Sequence, residues 1–319
     1  MRPIKVIVIC GATASGKTEV SLELAKYLTV EIISADSRQV YKHLNIGTAK
    51  PDKSELNAIP HHFIDFLDLD AAYSAGEFGN QAYKKVIEIS KNGKIPIVVG
   101  GSGLYIKGLC EGFFDEETID ENNIENTEEN PNQIRQELEL DLEKKGIDFL
   151  YEKLKEIDKP LYDLYSDKNP RRILRALEYY FINKIPLSKA QKNKTERELI
   201  QPLYFAIDLR RDILYERINR RVEKMWQNGL VQETEKVLML QKKLGYSETL
   251  NSLNTVGYKE TIAFLKGEFS EEKAISEIQK NTRHYAKRQL TWFRKVERIK
   301  FLQGKPNEIA NQILQYYVS

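Results

Sequence analysis

The chain has 319 residues, 41% of them hydrophobic and 30% charged, and its 49 basic and 47 acidic side chains leave a formal net charge of +2. This is an ordinary globular balance, enough for one large domain or a core with a smaller insertion. The near-neutral total does not announce a nucleic-acid partner, so any such partner must be read from local clusters. Two cysteines without a CxxC pair, and only four histidines, argue against a disulfide framework or a zinc site.

The first predicted element is a strand over residues 4–10 (IKVIVIC), continuously apolar as a buried parallel strand is. It is too short for a secretory leader, and no stretch approaches the ~20 apolar residues of a membrane span, so a cytoplasmic protein without membrane contact is expected. A glycine-containing turn follows, then a helical pattern from Lys17 to about Tyr27. Further strands are expected over Val30 to Ser34 and Ile95 to Val99, the latter running into Gly100-Gly101-Ser102-Gly103. Strands alternating with helices predict an α/β fold with a parallel sheet and crossover helices.

The character changes after Gly112. Residues 115–129 carry eight acidic and no basic side chains and read as a solvated loop. From about Asn132 to Ile182 the pattern is helical, and Lys189 to Glu198 reads as a polar linker. Leu203 to Leu209 returns to a strand pattern, and helices follow near 212–227, 231–243 and 271–295. The expected organisation is a first core part (1–114), a helical insertion domain (115–198) and a completion of the core with basic C-terminal helices (199–319).

Gly11-Ala12-Thr13-Ala14-Ser15-Gly16-Lys17-Thr18 fits G-x-x-x-x-G-K-[ST], with a strand before it and a helix after it. Glycines let the backbone close around phosphate oxygens, and successive N–H groups form an anion nest at a helix N-terminus. Lys17 adds a charge, and the Thr18 hydroxyl is placed to ligate Mg²⁺. The motif specifies a bound di- or triphosphate and not ATP hydrolysis.

The second strand runs into Ser34-Ala35-Asp36-Ser37-Arg38-Gln39. Ligands of open α/β sheets bind beyond the carboxyl ends of the strands, which puts Asp36 on the same rim as the nest. There it can accept a proton or help to hold Mg²⁺, or equally close an Asx turn with no chemistry. Ser37 and Gln39 can hydrogen-bond a base edge. Residues 100–103 form a third rim loop, in which Ser102 supplies a hydroxyl. His61-His62 cannot both face one metal, and they read as structural or substrate-lining. Residues 283–300 place seven basic groups against one acid, Glu297, around Tyr285, Trp292 and Phe293. The charges suit phosphate contacts on RNA, and the aromatics suit the core.

Together GATASGKT (11–18), ISADSRQVYKHLNIGTAKP (33–51), PHHFIDFLD (60–68), YSAGEF (73–78) and VVGGSGLYIKGL (98–109) resemble the tRNA dimethylallyltransferase (tRNA isopentenyltransferase) family. NPRRILRALE (169–178), NTVGYKE (254–260) and TRHYAKRQLTWFRK (282–295) extend the resemblance through nearly the whole chain. It implies a P-loop NTPase-like core with an inserted helical domain. It also implies transfer of a dimethylallyl group from dimethylallyl diphosphate to N6 of the adenine 3′ to the anticodon, position 37, in tRNAs reading codons that begin with U.

By the same resemblance residues 11–18 hold the diphosphate and Mg²⁺. Asp36 is the general base, Arg217 reaches the diphosphate, and Ser102 sits beside the target nucleotide. Asp36, Ser37, Arg38, Gln39, Ser102, Arg171, Arg172, Arg175, Arg283, Lys287 and Arg288 form the expected contacts to a tRNA anticodon stem-loop, made by a monomer. The chain departs from the family at Ala12, usually Pro, at Ser102, usually Thr, and over 115–129. Prenylation of free adenine nucleotides and P-loop small-molecule kinase activity are the alternatives. The helical insertion and the basic C-terminal helix, which a free nucleotide does not require, favour tRNA.

Overall fold

The computed structural model describes residues 3–113, 131–192 and 196–319, so the acidic stretch 115–129 and part of the 189–198 linker lie outside the described residues. The chain divides into two units, Met1–Cys110 with Arg197–Ser319, and Glu111–Glu196.

The first unit is built on six parallel strands: β1 (Ile4–Cys10), β2 (Val30–Ala35), β3 (His61–His62), β4 (Ile95–Gly100), β5 (Ile200–Ile207) and β6 (Lys300–Leu302), in the order β3-β2-β4-β1-β5-β6. β1 is central, with Ile7 to Cys10 opposite Ile97 to Gly100 on one side and Ile4 to Cys10 opposite Ile200 to Ala206 on the other. Its continuous apolar run follows from burial on both faces. Val6, Val8 and Cys10 enter one core cluster, and Ile7 and Ile9 enter the other.

The Ile7/Ile9 face is covered by α1 (Lys17–Ala25) and α13 (Pro306–Val318), through Val20, Leu24, Ile309 and Ile313. The opposite face carries α3 (Ala75–Lys91) and α4 (Gly103–Cys110). The same cluster takes in residues of α9 (Arg211–Gln227), α10 (Leu230–Lys243), α11 (Tyr258–Leu265) and α12 (Glu271–Phe293). In the YSAGEF segment, Ser74 Oγ accepts from Glu77 N, and a Glu77 carboxylate oxygen accepts from Ser74 N, which closes a capping box at the start of α3. The strand that resumes after the linker begins at Ile200, three residues earlier than its pattern suggests, because it pairs with β1 along that length. Remaining in the first unit is the short helix α2 (Lys53–Ala58).

The second unit is helical: α5 (Pro131–Ile157), broken at Gly146, α6 (Lys159–Leu164), α7 (Pro170–Asn183) and α8 (Leu187–Ala190). Its own core gathers Leu150, Leu154, Ile173, Leu177 and Tyr179. In α7 Pro170 occupies the first turn and the Asn169 side chain accepts from Arg172 N, which explains the NPRR start. No helix among the described residues is long and apolar enough to cross a membrane.

Candidate functional site

The site begins where β1 meets α1. Gly16 has a φ of 99°, a left-handed conformation that glycine adopts without strain, and it turns the chain into the helix. Among the described residues the backbone N–H groups of Ala14, Gly16, Lys17 and Thr18 have no hydrogen-bond partner. Four free amides at the N-terminus of α1 form the nest expected from the motif. Ala12 is buried against Leu214, Ile218 and Ala286, which accounts for a small apolar residue there.

Lys17 Nζ donates to the carbonyls of Ala12 at 2.7 Å and Gly11 at 3.2 Å. Burial first, and the Arg221 guanidinium second, lower its pKa to about 8, while Asp36 works in the opposite direction. Burial also depresses Arg221. Two half-buried cations that repel one another make a site that gains by receiving an anion.

Asp36 follows β2 on the same rim. Its Oδ1 accepts from Arg38 N at 2.9 Å and Gln39 N at 3.4 Å. Its Oδ2 makes no hydrogen bond among the described residues, so one oxygen closes an Asx turn and the other is left for chemistry. Ser102, at the start of α4, completes the rim: its Oγ accepts from Ser37 N at 2.9 Å and donates to Ser37 Oγ at 3.3 Å. The Gln39 amide is fully engaged inside the fold, accepting from Ser34 Oγ and donating to the carbonyls of Thr48 and Ala49. Arg38 Nη1 donates to Asn251 O.

Helices α9 and α12 close the site from the other side. Arg221 Nη1 donates to Thr13 Oγ1 at 3.3 Å. Arg217, one turn earlier on α9, lies over Gly16, where an added Cβ would stand 3.6 Å from its Nη1. On α12 the Gln289 side chain is 5% exposed. Thr13 N donates to its Oε1 at 2.8 Å, and its Nε2 donates to Gly101 O at 3.0 Å. Tyr285 lies beside Ser102 and Asp36, and burial together with the Asp36 charge pushes its phenol up to about 12. Arg221, Gln289 and Tyr285 are the site residues that the sequence reading missed. The signal for Arg221 was available: it stands one helical turn after Arg217, on the same face.

These elements enclose a cleft of about 750 Å³ whose lining includes the loop from Thr13 to Thr18, Asp36, Gly101, Arg217, Arg221 and Gln289. Ser37, Arg38 and Ser102 are not part of that lining. Arg283 is tied to Asn219 Oδ1 at 2.7 Å, whereas Lys287 and Arg288 are exposed on α12. Of the C-terminal aromatics Phe293 is buried, while Trp292 is 37% exposed and lies against Gly103, where a side chain would overlap the indole. Arg171, Arg172 and Arg175 belong to the second unit and are exposed along α7. His61 lines the cleft, and His62 Nε2 pairs with Glu31 Oε2 at 2.6 Å.

The residues present fit a hydrated magnesium ion. The Thr18 hydroxyl lines the cleft without a hydrogen bond among the described residues, as does Asp36 Oδ2. Among the described residues no cluster of three or more His, Cys, Asp or Glu side chains could hold a metal. Most ligands of such an ion would therefore be phosphate oxygens and water.

A parallel sheet whose carboxyl edge carries an amide nest, two half-buried cations and a half-engaged carboxylate defines an α/β protein with a cationic cleft. The chain belongs to the IPP transferase family, whose model matches residues 39–296. It is 43% identical to the tRNA dimethylallyltransferase of Christiangramia forsetii over 98% of this chain and 96% of that protein. The corresponding enzyme of Acetivibrio thermocellus is 39% identical over 98% and 97%. Among solved structures, the tRNA isopentenylpyrophosphate transferase of Staphylococcus epidermidis superposes with a TM-score of 0.68 at 36% identity, covering 99% of both chains. A eukaryotic dimethylallyltransferase acting on tRNA superposes with a TM-score of 0.77 at 27% identity, covering 98% of this chain and 75% of that one. The family model begins after the nest and Asp36, but these relatives run through both.

Proposed function

We infer that this chain is a tRNA-modifying enzyme that transfers a prenyl group to an adenine near the anticodon. In its finer form the reading is transfer of dimethylallyl from dimethylallyl diphosphate to N6 of adenine 37, in tRNAs that read codons beginning with U. Supporting it is one juxtaposition: the anion nest of residues 14–18 and the unengaged oxygen of Asp36 share a single cleft. A P-loop NTPase-like core, a cytoplasmic location and a monomeric state belong to the same proposal.

The exocyclic amine of adenine is conjugated with the ring and is a weak nucleophile. Asp36 Oδ2 orients it and takes its proton as the N–C bond forms. At the other end the allylic C–O bond breaks, and negative charge gathers on the departing diphosphate. The amides of Ala14, Gly16, Lys17 and Thr18, with Lys17, Arg221 and Arg217, stabilise that charge where it develops. Magnesium held by Thr18, and through water by Asp36, would add charge neutralisation on the diphosphate. The adenine must leave the anticodon-loop stack, at a cost of a few kcal/mol, less than in a duplex. Exposed Lys287 and Arg288 on α12, and Arg171, Arg172 and Arg175 on α7, are proposed to repay part of that cost through phosphate contacts.

The test is transfer of label from dimethylallyl diphosphate to an anticodon stem-loop with adenine at position 37, against the same loop with inosine there and against free AMP and ATP. Label on the adenine-containing loop alone is expected. Label on free nucleotide, or phosphoryl transfer from ATP, would contradict the reading.

A further inference from the structure

Residues Tyr285, Gln289 and Trp292 are spaced i, i+4, i+7 along α12 and form one stripe on the helix. Each meets a residue of the rim loop that follows β4: Tyr285 neighbours Ser102, Gln289 bonds Gly101, and Trp292 covers Gly103. Gln289 alone in this stripe also reaches the nest, through Thr13 N. Its amide thus has both ends engaged, accepting from one loop and donating to the other, in a position 5% exposed. Gly101 has no room for a side chain, because a Cβ would overlap the Gln289 amide. The chain of contacts continues from Gly101 to Ser102, whose backbone N–H donates to Ala35 O at 3.1 Å and whose Oγ accepts from Ser37 N at 2.9 Å. These two bonds flank Asp36. One side chain therefore links the loop that grips the anion to the loop that holds the carboxylate.

We propose that Gln289 is a positioning residue for the transfer reaction: its amide fixes the separation between the nest that receives the leaving diphosphate and the Asp36 carboxylate that takes the proton. The inference rests on the function proposed above. The nest follows β1 and Gly101 follows β4; the two bonds of Gln289 span these loops directly, and Ser102 carries the link on to the segment that holds Asp36. A primary amide does this at any pH, because it carries both an acceptor for Thr13 N–H and a donor for Gly101 O. A carboxylate offers only the acceptor, and a protonated carboxyl offers both. Misplacing reacting groups by about 1 Å costs about 100-fold in rate, whereas the separate binding of either substrate does not depend on that separation.

The experiment uses the full chain as wild type, Gln289→Met and Gln289→Glu, with kcat, both KM values, the folded fraction and the thermal midpoint measured for each. Gln289→Met is expected to lower kcat about 30- to 100-fold, with KM for dimethylallyl diphosphate and for the anticodon stem-loop each within about 3-fold of wild type. For Gln289→Glu the rate relative to wild type is expected to rise as pH falls from 8 to 6, as the carboxyl gains the proton it donates to Gly101. A kcat loss no larger than the loss of folded protein, a defect confined to KM, or a Glu-to-wild-type ratio flat across that range would overturn the proposal. If the wild type itself transferred nothing to RNA, the functional reading would fail first; a wild-type rate in Gln289→Met would remove the positioning role alone.

Discussion

Replacing Arg221 by Met is expected to make the protein more stable and a poorer enzyme at once. Lys17 sits at about 8 against an ordinary 10.5, with burial first among the causes and the Arg221 charge second. Keeping Lys17 protonated near neutral pH without an anion therefore costs up to about 3 kcal/mol, at ~1.4 kcal/mol for each tenfold change in proton affinity. Removing Arg221 relieves the part that comes from charge repulsion and ends the partial burial of a second cation. Its bond to Thr13 Oγ1, at 3.3 Å, is a weak one to lose. Exchanging a buried charge for an apolar side chain of similar size is neutral to stabilising by a few kcal/mol, so a gain of about 1 kcal/mol is expected. For a chain of this size that raises the melting midpoint by about 2 °C. In the proposed reaction the same residue would face the departing diphosphate, and losing one such donor costs about 100- to 1000-fold in kcat. The assay pairs thermal melting at pH 7, with and without inorganic pyrophosphate and Mg²⁺, with single-turnover transfer to the stem-loop. The variant should melt higher alone, gain less from pyrophosphate than wild type does, and transfer more slowly. A variant that melts lower and transfers at the wild-type rate would refute the reasoning.

Asp36→Asn keeps an oxygen for Arg38 N and Gln39 N, so the turn survives; kcat should fall about 100-fold or more while stem-loop binding stays within 2-fold, as measured by filter binding. The stability difference between wild type and Lys17→Met should move in favour of wild type as pH rises from about 8 toward 10.5. In that window the unfolded chain still binds the Lys17 proton and the folded chain does not. Burial pushes the Cys10 thiol up to about 12, which acts in the opposite sense but is common to both proteins and cancels in the difference. Gly47→Ala should lower stability to urea by about 1–3 kcal/mol, because the new Cβ would overlap the ring of Tyr258, which is 0% exposed and donates to the Glu233 carboxylate that also caps Ile46 N. Arg288→Ala should weaken stem-loop binding and reduce the slope of log affinity against log salt by about 1.

The parts of the site legible in the sequence are those that chain order alone positions. A strand, GATASGKT and a helix put the nest at the end of β1, and the carboxyl-edge rule of parallel sheets put Asp36 and Gly100–Gly103 on the same rim. The two meanings open for Asp36 turned out to be compatible, because a carboxylate has two oxygens and the turn uses one. What the sequence did not disclose depends on the phase of distant helices. Arg217 and Arg221 share a face of α9, and only the docking of that helix decides that Arg221 meets Thr13 while Arg217 lies over Gly16. Gln289 sits among arginines and lysines that read as an RNA-facing surface, yet α12 turns it inward, beside buried Ala286 and Phe293. The edge strands β3 and β6 are two and three residues long, too short to carry a period, and pairing with β2 and β5 alone defines them. Gln39, read as a contact for a base edge, spends its amide on Ser34, Thr48 and Ala49 because the rim segment folds back over β2.

The most direct test of the shared cleft is a crystal structure of the chain with inorganic pyrophosphate, Mg²⁺ and an anticodon stem-loop. Pyrophosphate oxygens are expected on the amides of Ala14, Gly16, Lys17 and Thr18, with the N6 amine of the flipped adenine within hydrogen-bond distance of Asp36 Oδ2. Pyrophosphate bound away from those amides, or an adenine held out of reach of Asp36, would contradict the proposed reaction.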